Sequence, residues 1–599
     1  RGESTAPSMA SASRRCMGVP IATPEPEYAL PTGACVTGLD PAPSRQPFWG
    51  LTERCLRSKG CLMRLTAALV LALHATAALA AGSPADTPAP DSKTETAKAD
   101  SGRFSPFKVE SKTGSGSVTV NGQTIAYQSI AGTLTVHQKG WDDVPKDPKA
   151  DKDPADAEAS MFYAAYFKQG GGNRPITFLF NGGPGSSTFW LHMGAFGPKR
   201  ILATSDRHLP AAPYEIVNNV GSLLDVSDVV FIDAPGTGFS RIAGKDAEKA
   251  FYGVDGDANA FADFITLFLT KYGRWNSPKY IFGESYGTPR AAVLVNLLEN
   301  ERSVDVNGVI LLSQILNFDL SPDGPTGNPG IDLPYQTALP TYAATAWYHK
   351  KVPGNPASLT DFLADVEQFA LGEYGAALAL GSDLPAERRR AIAEKLHAYT
   401  GLSVDYILKA DLRIDGGEFR QQLKLDDGES TGRLDTRFAG PVLDPLAQRA
   451  GYDPQSASIS SAYVSGYNDY ARRELHWGED KLFKPSISTY RTWNWQHQQP
   501  GSNGAGNSRQ GANTMPDLAN AMKVNPNLKV QLHAGYYDLA TPFFQGVYEM
   551  KHLPMPSALQ SNIEYHFYDS GHMVYAKESS LKELHDSVAD FIRRTAGTH

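Results

Sequence analysis

"KYIFGESYGTPRAAVLVNLLEN", residues 279–300, decides how this 599-residue chain is read. It opens on an apolar run, turns through Gly283-Glu284-Ser285-Tyr286-Gly287, and continues with helical periodicity. The five-residue G-x-S-x-G pattern alone is a weak signal in a chain holding 55 glycines. A strand before it and a helix after it change its meaning. Glycine lets the backbone turn sharply without Cβ clashes, which pushes Ser285 to the tip, beyond the carboxyl ends of the strands. A hydroxyl is a poor nucleophile at neutral pH, so such a site needs a base, and the base needs a carboxylate to orient it.

Both lie downstream. "HAGYYDLATP" (533–542) places Asp538 just after a buried strand, and "FYDSGHMVY" (567–575) places His572 after the next one. Taken singly, Asp538 reads equally well as a turn residue and His572 as a satisfied loop histidine. Together, Ser285, Asp538 and His572 follow in the chain order of α/β-hydrolases, each at a strand's carboxyl end. Upstream, "FLFNGGPGSSTFW" (178–190) is a glycine run directly after a strand, a place where backbone N–H groups can hold an oxyanion.

The surrounding pattern predicts the fold. "SGSVTVNGQTIAYQSIAGTLTVHQ" (115–138) alternates apolar and polar residues and turns at Asn121-Gly122, a hairpin signal. "ASMFYAAYFK", "PITFLF", "SDVVFIDAPG" and "VNGVILLSQIL" read as further strands, and "DANAFADFITLFLTKY" as a helix. Alternating strands and helices imply an α/β-hydrolase fold, a mostly parallel central sheet with helices on both faces. Residues 106–330 are expected to form the first part of the core, with its N-terminal hairpins. Residues 331–509 are helical and loop-rich, an inserted helical cap, and 510–599 complete the core.

The stretches "NGGPGSS", "VVFIDAPGTGFS", "FGESYGTPRAA", "GYYDLATP" and "SGHMVY", spread over most of 175–580, resemble the serine carboxypeptidase family. The resemblance implies that Ser285 forms an acyl intermediate, with His572 as its base and Asp538 as the orienting acid. It implies that Gly183 and Tyr286 donate backbone N–H groups to the oxyanion, and that Asn181, Gly182 and Glu284 bind a peptide's free terminal carboxylate. In that family a second glutamate pairs with the one at 284; counted from Asn181, its position here is Ala195. Without that partner, Glu284 is expected to be ionised over more of the pH range and to repel a terminal carboxylate. His192 is a candidate compensating charge. Three readings stand: a serine carboxypeptidase, an esterase or acyltransferase with the same triad, and a non-catalytic binding protein, which would predict a broken triad.

Composition narrows the partners. Net charge is −8, and no Lys/Arg cluster alternates with aromatics, so nucleic acid is not an expected partner. The expected substrate is a peptide or an ester, with no cofactor. No nucleotide site is expected, since "NGGPGSS" lacks the lysine of a phosphate loop, and no metal site, since His497 reads as a lone imidazole packed among Trp493, Trp495 and glutamines. His533 reads as a packed strand residue. Met63-Arg64 opens a short positive start and an apolar stretch ending at Ala78-Leu79-Ala80, which reads as a secretory signal over 63–80. Residues 1–62 then read as an upstream extension outside the fold, and 81–105 as a flexible linker. Cys16, Cys35, Cys55 and Cys61 all precede the proposed start, which suits a bacterial periplasmic or extracellular protein without a stable membrane anchor.

Overall fold

The structure is a computed structural model that describes residues 105–144, 156–502 and 512–597. The 1–62 extension, the signal at 63–80, nearly all of the linker and the four cysteines lie outside the described residues. Among those described, no helix is long and apolar enough to cross a membrane.

The hairpin forms where Asn121-Gly122 predicts it. Strand β1 (Ser111–Val120) pairs antiparallel with β2 (Gln123–His137), Val120 opposite Gln123, and both turn residues adopt positive φ (47° and 76°). That conformation matches the twist of a two-residue hairpin. The sheet grows from it through β3 (Glu158–Lys168), β4 (Ile176–Phe180), β7 (Asp228–Ile232), β8 (Arg241–Ala243), β9 (Lys279–Glu284), β10 (Gly308–Leu312), β13 (Lys529–Gly535) and β14 (Ile563–Tyr568). Two short pairs stand apart, β5 (Lys199–Ile201) with β6 (Ile216–Asn218) and β11 (Glu429–Thr431) with β12 (Ala439–Pro441). The ten-stranded sheet runs β1-β2-β3-β7-β4-β9-β10-β13-β14, with β8 on β3. Contacts from β1 to β7 are antiparallel, and every contact from β7 to β14 is parallel.

Continuous apolar strands are explained by cover on both faces. Phe178, Phe180, Val230 and Ile281 point into one cluster, with residues of α1 (Ala247–Phe251), α2 (Val254–Tyr272), α3 (Gly287–Glu301) and, late in the chain, Met515–Val524. Leu179, Val229, Phe231 and Phe282 alternate into the opposite cluster, where Leu581, Leu584, Val588 and Phe591 of the terminal helix pack. This is the α/β-hydrolase arrangement.

The insertion after β10 has two parts. Helices α4 (Leu333–Tyr348), α5 (Leu359–Phe369), α6 (Gly375–Leu378), α7 (Ala386–Thr400), α8 (Val404–Lys409) and α9 (Gly416–Gln422) build a cluster of their own, which also takes Tyr537 and Leu539. Helix α10 (Pro454–Arg473) instead buries Ile459, Tyr463, Tyr467 and Tyr470 against the second face of the sheet. Its apolar stripe recurs every three or four residues, so one side of the helix belongs to the core. The remaining helices are α11 (Met515–Val524), α12 (Phe543–Lys551) and α13 (Glu578–Thr595).

Candidate active site

Ser285 and Tyr286 separate β9 from α3, and Ser285 has φ at 60°, a left-handed conformation that a non-glycine residue adopts only when its surroundings impose it. They do. A Cβ at Gly283 would lie 2.1 Å from the carbonyl oxygen of Gly287, so the strand and the helix can meet this closely only without one. The Ser285 N–H is held by Leu312 O (3.0 Å) and its carbonyl by the N–H of Thr288 (2.8 Å). The side chain remains partly exposed.

The glycine run after β4 closes on the same turn. A Cβ at Gly182 would sit 2.3 Å from the backbone nitrogen of Tyr286, which puts the Asn181–Gly183 backbone directly against the start of α3. Gly183 has φ of 112°. Among the described residues neither the Gly183 nor the Tyr286 amide donates a backbone hydrogen bond, so both remain available to a ligand oxygen. The run is held from behind by two charged groups. Asp233, from "VVFIDAPGTGFS", accepts from Ser187 Oγ (2.7 Å) and Thr188 N (2.9 Å). Arg290, fully buried on α3, donates to Asn181 O (2.7 Å) while Asp257 of α2 neutralises it (2.6 Å).

Asp538 and His572 come from the loops after β13 and β14. Asp538 is fully buried; its Oδ1 accepts from the N–H groups of Ala540 (2.9 Å) and Thr541 (3.1 Å), and its Oδ2 from Thr541 Oγ1 (2.6 Å). The same Oδ2 lies 2.8 Å from His572 Nδ1, which leaves Nε2 as the ring's other nitrogen. Burial alone would lower the His572 pKa, but the Asp538 charge and its hydrogen bond outweigh it and, with Glu284, raise it above the usual value. Ser285, His572, Asn181, Gly182, Gly183 and Glu284 line one cavity of about 240 Å³. The Tyr286 hydroxyl accepts from Trp493 Nε1 (2.9 Å), and Trp495 packs edge-on to its ring. Trp347 of the insertion donates instead to Pro356 O (2.7 Å).

Three expectations about charge are corrected. Glu284 is not left ionised by the missing second glutamate: burial pushes its pKa up to about 7, against the opposing pull of His572, Tyr575 and Asn181. A lone carboxylate stays ionised only where water or donors solvate it, and here desolvation dominates. Nor does Glu284 lack a partner. Tyr575 donates to it (2.9 Å to Oε2), as does Asn181 Nδ2 (2.8 Å). The Tyr575 ring passes beside Gly194, where a Cβ would lie 2.5 Å from it, so the residue before Ala195 must be glycine for the phenol to reach the carboxyl. His192 supplies no compensating charge: it is buried, bonded to Tyr166 (2.6 Å), stacked on Phe231, and burial lowers its pKa to about 3. His497 is not lone. Its two nitrogens meet Asp255 (2.5 Å) and Asp517 (2.7 Å), and although burial opposes it, these carboxylates raise its pKa to about 9. His533 is buried in β13 against Tyr568 and Gln531. No cluster of three or more His, Cys, Asp or Glu residues suited to a metal occurs among the described residues.

Sequence reasoning missed Tyr575, Arg290 and Asp233, although each lies inside a motif it singled out. It also missed the segment Arg433–Arg437 of the insertion. Leu434 O accepts from His572 N (2.6 Å), Thr436 N donates to Tyr537 O (2.9 Å), and Arg433 O accepts from Leu539 N (3.1 Å), so this segment binds both loops that carry the acid and the imidazole. Asp435 accepts from Gly571 N (3.1 Å) and is itself paired with Arg437. Nothing in local sequence signals such contacts, because they join residues more than a hundred positions apart.

Residues 152–349 match the family described as serine carboxypeptidase. This segment belongs to the serine carboxypeptidase family. Among curated serine carboxypeptidase relatives, the pheromone-processing carboxypeptidase KEX1 of Yarrowia lipolytica is 32% identical over 141 residues, covering 23% of this chain and 21% of the relative. The serine carboxypeptidase-like 36 protein of Arabidopsis thaliana is 27% identical over 177 residues, covering 28% of this chain and 34% of the relative. The matches thus span between about a fifth and a third of these relatives' own lengths. The Saccharomyces cerevisiae prohormone-processing carboxypeptidase Kex1 superposes with a TM-score of 0.45 at 16% identity, covering 78% of this chain and 91% of that one.

Proposed function

We propose that this chain is a serine carboxypeptidase that releases the C-terminal residue of a peptide through an acyl–Ser285 intermediate. The observation that carries it is the pairing, within one small cavity, of the partly exposed Ser285 with a buried, readily protonated carboxyl at Glu284. Such a carboxyl donates a hydrogen bond to a terminal carboxylate, where an ionised one would repel it.

The steps follow from the residues. Ser285 Oγ attacks the last peptide carbonyl and passes its proton to His572 Nε2, while Asp538 holds Nδ1 and stabilises the imidazolium. The Gly183 and Tyr286 amides take the oxyanion. His572 protonates the leaving amine, and water then resolves the acyl-enzyme by the same route reversed. Asn181, Gly182 and Glu284 hold the terminal carboxylate, with Asn181 oriented by Glu284 on one side and by Leu191 N (3.0 Å to Oδ1) on the other. The stretch from Met63 supports export, and the absence of cysteine after Cys61 suits the bacterial periplasm.

The test compares blocked dipeptides with free or amidated C-termini, alongside simple esters of the same acyl group. A higher kcat/KM for the free acid supports the carboxypeptidase. Indifference to the terminal group, with fast ester turnover, replaces it with an esterase or acyltransferase.

A further inference from the structure

The wall of the cavity contributed by the insertion contains a polar group the reaction does not use. Gln455 is wholly buried, borders the cavity, and neither its Nε2 nor its Oε1 has a hydrogen-bond partner among the described residues. A buried carboxamide with both ends unpaired is unfavourable, and folded proteins hold few of them. Its position is imposed by its neighbours. Gln455 is the second residue of α10, and Asp453 caps that helix through Ser456 N (2.9 Å). The same carboxylate accepts from the N–H of Arg433 (2.6 Å), which ties the start of α10 to the segment bound beneath the acid and imidazole loops. The Arg433 side chain borders the cavity too, steadied by Asp323 through Nε (2.8 Å) and Nη2. The apolar part of the lining is Trp190, Leu434, Ile459 and Met573.

We propose that Gln455 and Arg433 form a subsite for the side chain of the substrate's C-terminal residue, and that this side chain ends in a planar oxygen-bearing group, a carboxylate or a carboxamide as in Glu or Gln. This deepens the carboxypeptidase reading and rests on it. With the terminal carboxylate at Asn181 and Glu284, a side chain of that residue crosses the apolar lining with its methylenes and presents its head to Gln455. Once the Gln455 side chain turns to the cavity, a carboxamide pairs with both ends of its amide, and a carboxylate takes Nε2 and the guanidinium. An aliphatic side chain leaves the amide unpaired, and a site built to hydrogen-bond its ligand discriminates strongly against an analogue that cannot. The acidic groups that act on Arg433 are Asp323, Asp538 and Asp453, and all three are engaged: by the guanidinium, by His572 and by the helix cap.

The experiment uses three blocked dipeptides with one acyl residue and C-terminal Glu, Gln or Leu, with rates expressed per site titrated by a serine-directed phosphonate. The wild type is expected to favour Glu and Gln over Leu in kcat/KM by about tenfold or more. Gln455→Leu should reverse that order, and Arg433→Gln should lower the Glu peptide while sparing the Gln peptide. If titration shows that Gln455→Leu does not fold, Gln455→Glu, which keeps the size, carries the comparison: it should favour Gln over Glu. A wild type that turns over all three alike, or a ratio that neither Gln455 variant changes, overturns the subsite and leaves the carboxypeptidase standing. Failure of all three peptides beside active ester turnover overturns both.

Discussion

The two walls of the cavity are built on opposite principles. On the core wall the side chains around Glu284 are tied to one another: Asn181 and Tyr575 donate to it, Arg290 fixes the Asn181 carbonyl, and Asp233 fixes the loop beyond. On the insertion wall Arg433 is pinned at its backbone and charge, yet Gln455 is left with both amide atoms unpaired. A connected network gives rigid geometry for chemistry that does not vary between substrates. Unused hydrogen-bonding capacity belongs where one substrate must be told from another. With the proposed subsite, chemistry and selection fall to different stretches of chain.

Breaking the core wall at its centre should have the largest effect. Ser285→Ala is expected to reduce kcat by about 10⁴-fold or more on peptides and esters alike, since triad members act as a unit; retained turnover in a burst assay would refute the acyl-enzyme. Glu284→Gln should separate the two substrate types. In the wild type, kcat/KM for free-acid peptides should fall about tenfold per pH unit as Glu284 ionises above its pKa of about 7. The variant keeps the shape and neutrality of the protonated carboxyl, so that alkaline limb should vanish, while ester profiles keep only the rise from His572. Because Glu284 and His572 influence each other, the limbs belong to the pair.

Tyr575→Phe sharpens the comparison more gently. The hydroxyl favours the ionised form of Glu284. Its loss should move the alkaline limb for free-acid peptides to higher pH and cost about 1–3 kcal/mol of stability, read by a pH series of kcat/KM and by denaturant melts. An unmoved limb would mean the phenol serves packing alone. The smallest effect is expected on the insertion side, at His497. Its folded pKa of about 9 lies above the usual value of 6.5, so the stabilisation from Asp255 and Asp517 is complete below about pH 6.5 and lost as pH rises through 9. His497→Gln should lower Tm by a few degrees at pH 6.5 and flatten the decline of Tm between pH 7 and 10. A variant whose melting curve tracks the wild type at every pH would show that the two carboxylates add nothing.

Much of the core wall was legible in the sequence, for local reasons. Asn121-Gly122, the glycines around Ser285 and the run from Asn181 each demand a backbone geometry that few residues accept, so their types announce their conformations. The alternation of the strands between two faces was equally visible, since both sets are apolar. Charge states were not legible. The expectation that Glu284 stays ionised considered only the missing glutamate; burial and a phenol from a motif 291 residues away decide the outcome. His497 looked solitary because Asp255 lies 242 positions before it. The insertion also looked uniform, and only the tyrosine stripe of α10, read against a sheet it could not reveal, separates that helix from α4–α9.

By itself, then, the amino-acid order determined a mostly parallel sheet, a strained turn bearing Ser285, and an acid and an imidazole at later strand ends, because these follow from short-range sterics and hydrophobic period. Only the tertiary structure decided the protonation of Glu284, the phenol that stands beside it, and the side chains of the insertion that meet the cavity. Those depend on desolvation and on contacts between distant segments, and neither is set until the chain has closed on itself.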